Sequence, residues 1–184
     1  MSLSQDIPQS TEQDVLQSTE QDVLQGVAQD THNIKDLALS QLDGGQATPP
    51  VLKASLEEIS AFLISDFPQI SCTVLAIGVN SATIRYPVDY SSLRPGGTVS
   101  GPVMMAAADV ALYVALLAQI GIVPLAVTTN LNISFLRKPS AGKDLIVKVE
   151  LLKVGRRLAM GEVRIYSEGH DELVAHATGT YAIP

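Results

Sequence analysis

The sequence predicts an α+β fold in which a curved antiparallel β-sheet wraps around one long central helix. Three observations carry this expectation. The stretch from Gly101 to Ala126 is apolar except at Gly101, Pro102, Asp109, Gln119, Gly121 and Pro124, and a helix apolar on every side is buried in a core. Two strand-like segments precede it and four follow it. Helices and strands therefore do not alternate, which argues against a parallel β-α-β sheet.

Each element follows in chain order. Ser55-Leu56-Glu57-Glu58 opens a helical pattern, with Leu56, Ile59, Leu63 and Phe67 on one stripe and Pro68 as its stop. Cys72–Val79 and Ala82–Val88 read as strands joined by a tight hairpin at Asn80-Ser81. Asp89–Gly101 reads as a polar loop rich in Gly and Pro, and Pro102–Ile120 as the central helix. A membrane span is not expected there. Asp109 would be costly in lipid, Gly121 and Pro124 break the run after about five turns, and no basic residues flank it closely. In Val127–Phe135, Leu131, Ile133 and Phe135 point one way, and Asn130, Asn132 and Ser134 the other. Leu145–Leu151, Ala159–Ser167 and Leu173–Ile183 complete the strands. A sheet of this kind exposes an edge, so pairing with a second copy is expected.

Composition narrows the function. Apolar residues make up 46% and charged residues 17% of the 184 residues, which suits a packed core. The single cysteine, Cys72, excludes an internal disulfide and a multi-cysteine zinc cluster. His32, His170 and His176 fall in no ligand motif, so no metal site is expected. The absence of Trp, an aromatic content of 4% and a net charge of −7 argue against a nucleic-acid partner. The charge sits in residues 1–50, which hold eight acids and one base, whereas acids and bases balance from residue 51 onward.

The octapeptide QSTEQDVL fills residues 9–16 and recurs unchanged at 17–24, with a decayed copy at 25–30. A period of eight is neither a heptad nor a solenoid repeat. Its two apolar residues per unit bury too little to offset ordering entropy. Ile34, Leu37 and Leu39 suit a short helix, and Asp43-Gly44-Gly45 and Thr48-Pro49-Pro50 suit a linker. The expected division is an acidic tail with linker over 1–50 and a folded domain over 51–184. The start carries neither a basic n-region nor an apolar h-region. Without disulfides either, the expected location is cytoplasmic.

Four segments share a further pattern. They are Arg94-Pro95-Gly96-Gly97-Thr98-Val99-Ser100-Gly101-Pro102 with Asp109 in an Ala-rich helix, Val127 to Pro139, Leu152-Lys153-Val154-Gly155-Arg156-Arg157, and Leu173 to Tyr181. Together they resemble the PaaI-like hotdog-fold acyl-CoA thioesterases, collinearly over roughly residues 55–184. The resemblance implies a hotdog fold and hydrolysis of acyl-CoA thioesters by homodimers, or by tetramers built as dimers of dimers. Coenzyme A enters as part of the substrate, with no separate cofactor. The family's helix start, His-Gly-Gly, corresponds to Ser100-Gly101-Pro102. Its acid, nine residues after the His, corresponds to Asp109. The resemblance makes the Gly101 N–H the donor to the thioester carbonyl. It places a hydroxyl at Thr128 beside the acid, and lets Gly101 of one subunit face Asp109 of the other. Two positions depart from the pattern: Ser100 stands for the His, and Arg94 for an Asn that holds water.

The chemistry fits these residue types. An attacked thioester carbonyl develops negative charge, which a helix N-terminus stabilises. Gly101 admits close approach because it has no side chain, and Pro102 suits a first helical position. A carboxylate further along can activate water or attack directly. On one helix the two groups lie about 12 Å apart, too far to meet one carbon within a single chain. The competing reading of Asp109 is a buried acid bonded to backbone or to a hydroxyl. For Thr128 and Thr129 it is strand propensity. Arg137, Lys138, Arg156 and Arg157 suit the phosphates of coenzyme A, or are solvated strand-end charges. Arg94 suits a phosphate, a carboxylate or a loop ion pair. Ser100 joins the substrate-binding candidates as the residue at the helix start. A noncatalytic acyl-CoA binder is the alternative function.

Overall fold

The computed structural model describes residues 51–140 and 142–184. The octapeptide repeat, the short helix expected at Ile34–Leu39 and the linker before residue 51 lie outside the described residues. Helix α1 (Leu56–Asp66) starts with a reciprocal cap: the Glu58 N–H donates to Ser55 Oγ, and the Ser55 N–H donates to Glu58 Oε2. Its buried side chains are Ile59, Phe62 and Leu63.

The turn takes Val79 and Asn80 in place of Asn80-Ser81, so strand β1 (Thr73–Gly78) loses Val79 while β2 (Ser81–Tyr86) gains Ser81 and ends before Pro87. Asn80 has φ 54°, a left-handed value that Asn tolerates. The segment expected as plain loop from Asp89 holds more structure. A 3₁₀ turn (Tyr90–Ser92) leads into a small hairpin of β3 (Leu93–Arg94) and β4 (Thr98–Val99). Gly96 and Gly97, at φ 94° and 70°, supply its turn. Two-residue strands carry no period, so pattern reading passes over them.

Helix α2 (Gly101–Ile120) follows, and Gly121 ends it by donating to Leu117 O at 2.8 Å. Strands β5 (Val127–Phe135), β6 (Leu145–Val154), β7 (Leu158–Ser167) and β8 (Leu173–Ala182) complete the chain. The main sheet runs β1-β2-β6-β7-β8-β5, with every neighbour antiparallel. Helix α2 packs against all six of its strands, and α1 packs against β1 and α2. By length and composition α2 could cross a membrane. Here Ala107, Ala108 and Val110–Ala118 are instead buried against the sheet. Its first turns are less enclosed. Met104 is 5% exposed and Met105 39%, so only the first joins the core. Successive helical residues point about 100° apart, which turns Met105 outward.

Where α2 crosses the sheet, Gly161 and Gly179 face each other in the β7–β8 register. A Cβ on Gly161 would come 2.9 Å from Leu112 Cδ2, and one on Gly179 would clash with Leu112 Cδ1. The two glycines form the socket that Leu112 fills.

Candidate active site

Asp109 sits in the middle of α2 and lines an apolar cavity of about 300 Å³ with Phe67, Ile70, Tyr113, Thr128 and Tyr181. Thr128 Oγ1 donates to Asp109 Oδ1 at 2.5 Å. Tyr181 Oη lies 2.8 Å from the same oxygen and 3.0 Å from Asp109 O, so its proton is shared between them. The two hydroxyls converge because Thr128 and Tyr181 are register partners across β5 and β8. A bulge follows at once, between Thr128 and Asn130. It sends Thr129 Oγ1 to Thr180 O at 3.1 Å, away from the cavity.

Tyr181 is firmly held. It is 5% exposed, and its ring stacks on Tyr113 with centroids 5.9 Å apart and planes 12° apart. Phe62 and Phe67 flank Tyr113 from α1 and its C-terminal end. Burial pushes the Tyr181 phenol far above its ordinary ionisation range, and the nearby Asp109 charge adds to this. The hydroxyl therefore remains a proton donor.

The start of α2 forms a second cleft, of about 470 Å³, lined by Arg94, Gly101, Met104, Phe135, Arg137 and Lys138 among others. Ser100 is the N-cap, and its side chain makes no cap bond. The first helical N–H groups have no intrahelical acceptor, and Gly101 lines this cleft. A Cβ on Gly101 would come 3.2 Å from Phe135 Cζ. Arg94 Nε donates to Thr98 Oγ1 at 2.9 Å, which lays its side chain along the small hairpin. Arg137 Nη1 donates to Leu173 O at 3.3 Å.

The predicted site residues thus form two groups in one chain: Asp109 with Thr128, and Gly101 with Ser100, Arg94, Arg137 and Lys138. Arg156 and Arg157 join neither. Arg156 lines a separate recess with Lys53, Gln119 and Ile120 at the far end of α2, roughly 28 Å along the helix from Gly101. Sequence reading passed over Tyr181, Phe67, Ile70 and Phe135 as site residues. The one signal for Tyr181 was its place in the closing segment of the resemblance. His176, which falls in no ligand motif, lies 3.3 Å from Glu162 Oε2 on the neighbouring strand.

This helix within a six-stranded antiparallel sheet is a hotdog fold of the PaaI-like kind. The thioesterase superfamily model matches residues 96–174. A protein assigned as a thioesterase from Silicibacter sp. is 45% identical over 74% of this chain and 96% of its own, with a TM-score of 0.69. The phenylacetic acid degradation protein PaaI from Thermus thermophilus, as a point mutant, is 26% identical over 65% of this chain and 98% of its own, with a TM-score of 0.56. A thioesterase from Haemophilus influenzae shares the fold at 19% identity, over 73% of this chain and 94% of its own, with a TM-score of 0.64. No curated protein matches. The chain belongs to the thioesterase superfamily, and acyl thioester hydrolysis is the general activity that membership supports.

Proposed function

We propose that the protein hydrolyses acyl-CoA thioesters to free acid and coenzyme A. It acts as a homodimer, or a dimer of dimers, in which Gly101 of one subunit and Asp109 of another serve the same thioester. The carrying observation is the Asp109 carboxylate, tied to two hydroxyls and facing an apolar cavity. Asp109 takes a proton from water as the water oxygen bonds to the thioester carbon. The Gly101 N–H and the α2 dipole stabilise the oxyanion. Collapse breaks the C–S bond, and the thiolate takes the proton from Asp109. In direct attack, an Asp109 oxygen bonds to the carbonyl carbon, the C–S bond breaks to leave an acyl-enzyme anhydride, the thiolate takes a proton from water, and a water then hydrolyses the anhydride. Arg94, Arg137 and Lys138 receive the phosphates of coenzyme A beside Gly101. Arg156 and Arg157, at the other end of α2, serve them only from another subunit. Coenzyme A is part of the substrate, and the reading needs no separate cofactor. Its setting is the cytoplasm.

A thiol-release assay on short, medium, long and aryl acyl-CoAs tests this. Asp109→Ala is expected to lower turnover by about 100-fold or more with an unchanged circular dichroism spectrum. Unchanged turnover would overturn the reading. Ser100 and Arg94 favour one alternative, a noncatalytic acyl-CoA binder, because they replace the His and water-holding Asn of the family pattern. Calorimetric binding of acyl-CoA by folded protein that releases no thiol would select that alternative.

A further inference from the structure

We propose that Tyr181 is a positioning residue for the acid of the reaction. With Thr128, it fixes Asp109 Oδ1 and leaves Oδ2 as the oxygen that meets water or the thioester carbon. This rests on the hydrolytic reading and deepens it.

A carboxylate at the middle of a helix can rotate about its last torsion, and either oxygen can then face the cavity. Here both hydroxyl donors fall on the same oxygen, at 2.5 Å from Thr128 and 2.8 Å from Tyr181. Among the described residues no donor is bonded to Oδ2. Tyr181 adds what Thr128 cannot, because its hydroxyl also lies 3.0 Å from Asp109 O. It therefore ties the side chain to the helix backbone and fixes the rotamer as well as the oxygen. The phenol is anchored in turn by its stack on Tyr113, whose hydroxyl donates to Val123 O at 3.3 Å. Catalysis by a positioned group is sensitive to displacements of an ångström or less. The titratable groups lining the cavity are Asp109, Tyr113 and Tyr181. Asp66, at the end of α1, acts on Tyr113. No cation lines this cavity among the described residues, so the two hydroxyls are the groups that hold Oδ1 there.

Tyr181→Phe keeps the ring, its stack and its burial while removing the donor. The expected result is a kcat lower by about 10-fold with KM within about twofold. In a crystal structure of Tyr181→Phe the Asp109 carboxylate should be rotated from the parent rotamer or divided between two. A parental kcat, or a carboxylate held as in the parent with only a lower melting temperature, would overturn the inference. Parent protein that releases no thiol overturns the hydrolytic reading, while the Asp109 rotamer in Tyr181→Phe still decides the role of Tyr181. Should Tyr181→Phe fail to fold, Thr128→Val gives the answer: Tyr181 alone should keep the Asp109 carboxylate in its parental rotamer, and a rotated carboxylate there overturns the inference.

Discussion

Thr128 and Tyr181 stand opposite each other on paired strands and direct their hydroxyls at one oxygen of Asp109. On the proposed mechanism Thr128→Val, which removes the hydroxyl at nearly constant volume, should lower kcat by about 10-fold in the thiol-release assay. KM should change little, because Thr128 touches the acid and not the coenzyme. Legibility differed among these residues for physical reasons. Gly101 and Asp109 share one helix, so their spacing could be read from the chain. Thr128 opens the next strand, and a hydroxyl there had a family counterpart. Tyr181 lies 72 residues from Asp109, and only the β5–β8 register carries it under the helix. A tyrosine at an inward position of an alternating strand looks like any other core aromatic. The course of the Arg94 side chain was equally hidden, since its bond to Thr98 depends on a hairpin that pattern reading had taken for plain loop.

Among elements, the contact that sets helix against sheet is Leu112 in the socket of Gly161 and Gly179. Gly179→Ala is expected to destabilise the fold by about 1–3 kcal/mol through overpacking, and Leu112→Ala by about 2–5 kcal/mol through a cavity. The double variant should cost less than the two together, because removing the Leu112 methyls makes room for the new Cβ. Urea midpoints with unchanged slopes would measure all three, and strict additivity would show that the socket is not shared. The six long strands and both helices were legible because each buries one face or stripe and so imposes a period on the sequence. The socket was not. Gly161 and Gly179 sit in strands 18 residues apart, and each alone reads as a weak point in its strand. Only their opposition in the register gives them a purpose.

For the whole molecule, the spacing of about 12 Å between Gly101 and Asp109 makes one chain half of the proposed catalyst. Two variants, one disabled at the start of α2 and one at Asp109, should each be inactive as homodimers. Refolded together in equal amounts, they should recover about a quarter of parental turnover, since half the dimers are mixed and each mixed dimer holds one intact site. No recovery from mixed dimers, verified by mass, would place both groups of a site in one chain. The location of the acid on the central helix has an evolutionary consequence as well. The helix that carries Gly101 and Asp109 is also the element around which the sheet closes, so most mutations along it threaten folding before they can alter activity. Divergence toward new acyl groups is therefore channelled to the periphery. Phe67, Ile70 and Phe135 border the two clefts from outside α2, and drift there can reshape what is hydrolysed while the inherited chemistry stays fixed.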